Sequence, residues 1–235
     1  MADAPIRVIV LGSTGSIGVQ TLEVIRALHK LQSWPRFKVV GLAARRSGEE
    51  LRAQAAEFGV ERVALAERDG INGVKRLVEE TACDIVVSAM VGLAGLVPTL
   101  AAMERKTPIA LANKETLVAA GHLMTGVDAT LLPIDSEHSA IWQCLGGVRL
   151  PRVGYFGRVL LTASGGPFRT MTAAEAFGMT PEAALRHPRW KMGPKITVDS
   201  ATMVNKAFEM IEARWLFDLD NNGIDVVIHP QSIVH

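Results

Sequence analysis

The sequence predicts an α/β fold: a parallel sheet covered by helices, followed by an α+β domain of different rhythm. Three observations carry this reading. Short apolar runs alternate with helical patterns through the first half. Strands buried on both faces produce such runs, and the helices between them supply the covers. A glycine-marked turn, Gly12-Ser13-Thr14-Gly15-Ser16-Ile17-Gly18, directly follows the first apolar run. Beyond Pro151 the alternation gives way to a long stretch punctuated by Gly and Pro.

The expected strands of the first domain are Arg7–Leu11, Lys38–Ala43, Arg62–Ala66, Asp84–Ala89, Thr107–Leu111 and Ala129–Ile134. Helical spacing lies between them at Ile17–Leu31, Gly48–Phe58, Gly70–Thr81 and Leu96–Glu104. The second domain opens on a strand at Arg158–Thr162. It continues through a long irregular segment, Ala163–Gly193, with a short helical piece at Pro181–Arg186. Asp199–Phe217 then reads as one long helix with Asp199 or Ser200 as N-cap. Asp225–Ile228 is a last strand. The boundary falls near Leu145–Tyr155, giving domains of residues 1–148 and 149–235. The chain stops just after this strand, at Ile233-Val234-His235, with no polar tail, which points to a cut inside a larger fold.

Composition narrows the function. The chain has 235 residues, 49% of them hydrophobic and 21% charged, enough for a substantial core. A net charge of +1 gives no basic excess for a nucleic-acid groove. Two cysteines, Cys83 and Cys144, are too few for a disulfide scaffold or a four-cysteine zinc module. Ile85–Met103 carries no charge and approaches membrane-spanning length, but Gly92, Gly95 and Pro98 divide it into strand, turn and helix. The N-terminus lacks a basic segment before its short apolar run, so no targeting peptide is expected and the setting is cytoplasmic.

The glycine turn has G-x-x-G-x-x-G spacing at the entry to the first helix. Glycines let the backbone approach a pyrophosphate, and the helix N-terminus offers free N–H groups and positive potential. Such a turn can also be a mere tight connection; its place after the first strand favours a dinucleotide and a Rossmann-like domain. The second strand runs into Arg45-Arg46-Ser47. Two guanidiniums and a hydroxyl suit a ribose 2′-phosphate, so NADP is favoured over NAD, against the plainer reading of a solvated basic loop.

Asp135 and Glu137 stand two residues apart at a strand's end, a spacing that would project both to one face. Hard oxygen donors of this kind suit Mg2+ or Mn2+. A capping Asp beside an exposed Glu is the simpler alternative. Asn205 and Glu209 share a helix face at i and i+4, with Lys206 beside them, and Glu209 would complete a three-carboxylate site. Without metal such a cluster should repel itself and be disordered or partly protonated. Ser164 precedes a Gly-Gly-Pro turn, and His187 and Trp190 lie in the long irregular segment; such a segment is more often functional than decorative, whereas a lone histidine or tryptophan is usually structural. His138 and His229 lack zinc-pair spacing.

Beyond the glycine turn, several segments follow in order: Ala112-Asn113-Lys114-Glu115, Pro133-Ile134-Asp135-Ser136-Glu137-His138 and Thr162-Ala163-Ser164-Gly165-Gly166-Pro167-Phe168. They are followed by His187-Pro188-Arg189-Trp190, Asp199-Ser200-Ala201-Thr202-Met203-Val204-Asn205-Lys206 and His229-Pro230-Gln231-Ser232-Ile233-Val234-His235. Together they closely resemble the 1-deoxy-D-xylulose 5-phosphate reductoisomerases along the whole chain. The resemblance implies an N-terminal portion, truncated before the family's C-terminal helical domain.

It also implies an activity: NADPH- and divalent-metal-dependent isomerisation and reduction of a phosphorylated deoxyketose. The product is 2-C-methyl-D-erythritol 4-phosphate, at the committed step of non-mevalonate isoprenoid precursor synthesis. The full-length form would be a homodimer. Matched motif by motif, Thr14, Gly15, Ser16, Ile17, Arg45, Arg46, Ser47, Asn113, Glu115 and Gly193 fall on cofactor positions. Asp135, Glu137 and Glu209 fall on ligands for Mg2+, Mn2+ or Co2+. Lys114, Ser136, Glu137, Ser164, His187, Ser200, Asn205, Lys206 and Glu209 fall on substrate contacts. Lys114, Asp135, Glu137, His187 and Glu209 would carry the chemistry. A plain NADP-dependent dehydrogenase, separable by its lack of a metal requirement, and a nucleotide-sensing module are the competing readings.

Overall fold

The computed structural model describes residues 4–31, 35–124, 130–147, 158–188 and 192–235. The chain divides into two compact units, Met1–Asp135 and Ser136–His235. The boundary expected at 148/149 falls outside the described residues, as does Trp190.

The first unit is a six-stranded sheet: β1 (Ile6–Leu11), β2 (Phe37–Ala44), β3 (Val63–Leu65), β4 (Ile85–Ser88), β5 (Ile109–Leu111) and β6 (Leu131–Pro133). Its order is β3-β2-β1-β4-β5-β6, and every pairing is parallel. Burial explains why these segments read as unbroken apolar runs. Ile9, Val10, Leu11, Leu42, Val86, Ile109 and Leu111 are all fully buried, and burying one such side chain is worth roughly 1.5–3 kcal/mol. The connections are α1 (Ser16–Leu31), α2 (Gly48–Phe58), α3 (Ala66–Glu80), α4 (Leu96–Glu104) and α5 (Lys114–Met124). Helix α1 turns Leu22 and Ile25 onto the sheet, and α3 does so with Val74, Leu77 and Val78. Strand order reverses between β1 and β4, so the loops that follow them flank a crevice of the kind dinucleotides occupy.

The uncharged stretch from Ile85 is strand β4, a 3-10 turn at Gly92–Gly95 and then α4, the division expected from its glycines. No described helix is long and apolar enough to cross a membrane.

In the second unit, β7 (Val159–Ala163) pairs in parallel with β8 (Ile224–Ile228). The helices are α6 (Ser136–Cys144), α7 (Ala173–Phe177), α8 (Pro181–Ala184), α9 (Pro194–Ala201) and α10 (Val204–Phe217).

Two expectations about this unit are corrected. The long helix Asp199–Phe217 is two helices, α9 and α10, broken at Thr202–Met203, where Met203 takes a left-handed conformation (φ 63°). Neither Asp199 nor Ser200 caps α10. Ser200 instead donates its hydroxyl to the Ile196 carbonyl inside α9. Nor does strand geometry persist past β6: Glu137 lies in the first turn of α6. Its direction is therefore set by a helix start, not by alternation along a strand.

Candidate active site

The glycine turn occupies the end of β1. Gly12 and Ser13 donate their N–H groups to the Ala43 carbonyl of β2, and Gly15 closes back on the Gly12 carbonyl at 3.0 Å. Ser16 then opens α1. A Cβ at Gly18 would collide with the Gly12 carbonyl, so only glycine lets the helix start approach the turn this closely. From α2, Gln54 donates to the Ser13 carbonyl at 2.9 Å and ties the turn to that helix. Thr14, Gly15, Ser16 and Ile17 thus form one continuous edge at the start of α1, where the N–H groups that the turn itself does not use suit an anion.

At the end of β2, Arg45, Arg46 and Ser47 are exposed. Ser47 stands at the N-cap of α2, and Arg46 pairs with Glu67 at 2.5 Å. Arg46, Ser47 and Gly48 line a shallow surface recess.

Asn113 is buried just ahead of α5. Its amide donates to the carbonyls of Met90 and Gly92, the latter at 2.8 Å, and its oxygen accepts from the Thr116 N–H at 3.1 Å. The side chain that the motif match puts on the cofactor is therefore engaged in bracing the turn after β4. Next to it, Lys114 is only 9% exposed and pairs with Asp135 at 2.6 Å. Glu115, in the first turn of α5, is half-buried.

In the second unit, α6 and α10 bring Glu137, Lys206 and Glu209 together. The Lys206 ammonium lies 2.9 Å from Glu137 Oε1 and also pairs with Glu209. All three side chains are at most 11% exposed. Asn205 donates to Glu209 Oε1 at 2.5 Å, and Ser136 donates to Glu137 Oε2 at 2.8 Å. Burial by itself would push the Glu137 carboxyl up, but the Lys206 charge and hydrogen bond, with Ser136, hold it down at about 2. The expectation of a self-repelling, partly protonated cluster is corrected for Glu137: a buried lysine supplies the compensating charge.

A second group gathers around the end of β7. Ser164 and His187 meet at 3.2 Å between Oγ and Nε2. Burial, with the nearby Arg169 charge, lowers the His187 pKa, which keeps its imidazole neutral near pH 7. Gly166 has φ +68°, and a Cβ there would collide with the Ser200 carbonyl. The Ser164-Gly165-Gly166 turn thus packs directly on the end of α9, beside Ser200. Gly193 is the exposed N-cap of α9, and its carbonyl receives both the N–H and the hydroxyl of Thr197.

Three residues outside the expected site set lie close to these groups. His235 meets Ser136 at 3.0 Å. His138 and Glu212 are completely buried, with Nδ1 and Oε2 3.4 Å apart. A signal for Glu212 was present: Lys206, Glu209, Glu212, Ala213 and Leu216 recur at core-face spacing on α10, so charged groups occupy positions that normally take apolar ones.

Two domain models of one family match the chain. The 1-deoxy-D-xylulose 5-phosphate reductoisomerase model covers residues 8–72 and 68–121, and the model of that enzyme's C-terminal domain covers 131–217. The reductoisomerase of Thermoanaerobacter pseudethanolicus is 47% identical over 250 residues, covering 97% of this chain and 63% of the relative. That of Mycolicibacterium smegmatis is 50% identical over 244 residues, covering 97% and 59%. A crystal structure of DOX-P reductoisomerase with NADPH, fosmidomycin and magnesium superposes with a TM-score of 0.84 at 38% identity, over 98% of this chain and 62% of that one. The Zymomonas mobilis enzyme with NADPH gives 0.78 at 37% identity, over 99% and 63%. The chain therefore spans about three-fifths of the length of these relatives. By both domain models and by these relatives, the chain belongs to the 1-deoxy-D-xylulose 5-phosphate reductoisomerase family.

Proposed function

We propose that this chain carries the site for NADPH- and divalent-metal-dependent conversion of 1-deoxy-D-xylulose 5-phosphate to 2-C-methyl-D-erythritol 4-phosphate. This is the committed step of non-mevalonate isoprenoid precursor synthesis, in the cytoplasm, by a protein whose whole form is a homodimer. The observation that carries the reading is the buried convergence of Glu137 and Glu209 on one cation, Lys206. Two carboxylates fixed around a positive charge, with a third, Asp135, directly preceding Ser136 in the chain, are a hard oxygen set suited to Mg2+ or Mn2+. Similar structures, one solved with NADPH, fosmidomycin and magnesium and one with NADPH, support the same assignment.

Asp135, Glu137 and Glu209 would hold the divalent ion, and Thr14, Gly15, Ser16, Ile17, Arg45, Arg46, Ser47, Asn113, Glu115 and Gly193 the NADPH. Once bound, the ion offsets negative charge developing on the substrate oxygens, and NADPH supplies the hydride for the reduction. Ser164, His187, Ser200, Asn205 and Lys206 receive the phosphate as hydroxyl, imidazole, amide and ammonium donors. Neutral His187 can donate one ring N–H there while its other nitrogen meets Ser164. Lys206 exchanges its carboxylate partners for the phosphate when substrate arrives. Lys114, held by Asp135, stabilises oxyanion charge or moves a proton at the substrate hydroxyl. Ser136 orients Glu137. The segment carrying His187 closes as a lid and excludes water before the reduction.

The test is oxidation of NADPH in the presence of the deoxyxylulose phosphate, with Mn2+ and with a chelator. Oxidation that requires both substrate and metal, and that favours NADPH over NADH, is expected. Oxidation indifferent to the chelator would point to a plain dehydrogenase.

A further inference from the structure

We propose that Glu212 is a positioning residue for the carboxylate site, acting through His138 on the backbone of Glu209. The inference rests on the proposed metal role of Glu209 but assigns a task to two residues outside the ligand set. His138 comes from α6, one residue beyond Glu137, and Glu212 from α10, one turn beyond Glu209. Both side chains are fully buried, each at 0% exposure. The imidazole joins the two helices. Its Nε2 lies 2.8 Å from the Glu209 carbonyl oxygen, and its Nδ1 lies 3.4 Å from Glu212 Oε2.

The roles of the two nitrogens follow from their neighbours. A carbonyl oxygen only accepts, so Nε2 carries a proton and donates it. The Glu212 carboxyl also faces Nδ1, and one proton shared between these two acceptors holds the ring plane, so Nε2–H stays aimed at Glu209. The Glu209 carbonyl belongs to the residue whose carboxylate meets Lys206 and Asn205. Glu212 and His138 thus clamp α10 to α6 at the height where Glu137 and Glu209 face one another across Lys206. A buried acid is costly to keep in a core. It sits here on the face that otherwise packs Ala213, Leu216 and Phe217, where a contact to His138 gives it a task. Residues that orient the ligands of a metal site commonly change affinity about 10- to 100-fold when removed, without touching the ion.

The test compares Glu212→Leu and Glu212→Gln in the full chain by two readouts. The first needs no metal: nitrogen–proton NMR correlations of the His138 ring. The parent should show a slowly exchanging Nε2–H. Glu212→Gln should keep that signal, because its amide donates to a bare Nδ1 or accepts from a protonated one, and Glu212→Leu should lose it. The second is Mn2+ affinity by calorimetry, expected to fall about 10- to 100-fold in Glu212→Leu and to stay within a few-fold in Glu212→Gln. An unchanged ring signal in folded Glu212→Leu would overturn the inference. So would loss of the signal in Glu212→Gln, which remains decisive if the leucine variant does not fold. If the ring responds as expected while the parent binds no Mn2+, the clamp stands and the metal reading fails. If Mn2+ binds the parent and Glu212→Leu equally well, the metal reading stands and the positioning role fails.

Discussion

Glu137 shows at the scale of one residue how context outweighs residue type. Two glutamates and a lysine near a helix are an ordinary sequence observation. The structure makes them unusual by burying all three together, with Lys206 between the acids. The residue types were legible because Asn205, Lys206 and Glu209 share spacing on one helix. The charge balance was not, because Glu137 reaches Lys206 from 69 positions away in the chain. This balance predicts a pH dependence. Glu137 holds its proton only below about 2 when folded, against an ordinary 4.5. Its contribution is fully present above pH 4.5 and is lost as pH falls from there toward 2, because the unfolded chain takes up the proton first. A shift of this size corresponds to about 3 kcal/mol. Thermal unfolding of the metal-free chain should therefore steepen in its pH dependence below pH 5. Glu137→Gln, which has no proton to take up, should show a shallower acid limb. Parallel acid limbs for the two proteins would show that Lys206 does not stabilise the ionised form.

At the scale of elements, the sheet was legible and several helices were not. Strands β1, β2, β4 and β5 are buried on both faces, and continuous apolar runs leave few alternatives. Helix α5 was missed because Asn113-Lys114-Glu115 reads as a polar loop, whereas Lys114 is buried against Asp135 and Asn113 caps the helix through Thr116. Helix α6 was missed because its pattern, Ser136–Cys144, buries only His138 and carries almost no amphipathic signal. The break before α10 was hidden for another reason: Met203 is an unexpected residue for a left-handed position. The other end of α10 is left-handed as well, at Asp218 (φ 50°), whose N–H caps the Arg214 carbonyl. Asp218 is exposed, its backbone is strained for a residue with a Cβ, and its charge sits at the negative end of the helix. Asp218→Gly should therefore stabilise the chain by about 1 kcal/mol and raise the midpoint of thermal unfolding by roughly 2–4 °C. A lowered midpoint would mean that the carboxylate contributes more than the strain it imposes.

Across the whole molecule, the residues proposed for cofactor and metal divide between two compact units, with Asp135 closing the first and Gly193 in the second. The glycine turn and the Arg45-Arg46-Ser47 recess lie in the first, while Glu137, Lys206, Glu209 and the Ser164–His187 pair lie in the second. This division was legible as a change of rhythm, since parallel strands with regular crossovers give way to an irregular segment. The position of Ser136–Cys144 within the second unit was not, because three-dimensional packing and not local pattern assigns it there. The division predicts opposite outcomes for two substitutions. Gly18→Ala forces a side chain against the Gly12 carbonyl and must displace the turn proposed to hold the cofactor phosphates. It should weaken NADPH binding by at least tenfold, the scale of one lost charge-assisted hydrogen bond. Mn2+ affinity should stay unchanged. Glu209→Gln keeps the shape of its side chain but removes one carboxylate charge beside Lys206. It should abolish tight Mn2+ binding and leave the NADPH dissociation constant within about twofold, the scatter expected of independent sites. Calorimetry with each ligand on both variants separates the outcomes. If Glu209→Gln remains folded yet loses NADPH as severely as Mn2+, cofactor and metal binding are coupled, and the independence of the two proposed sites fails.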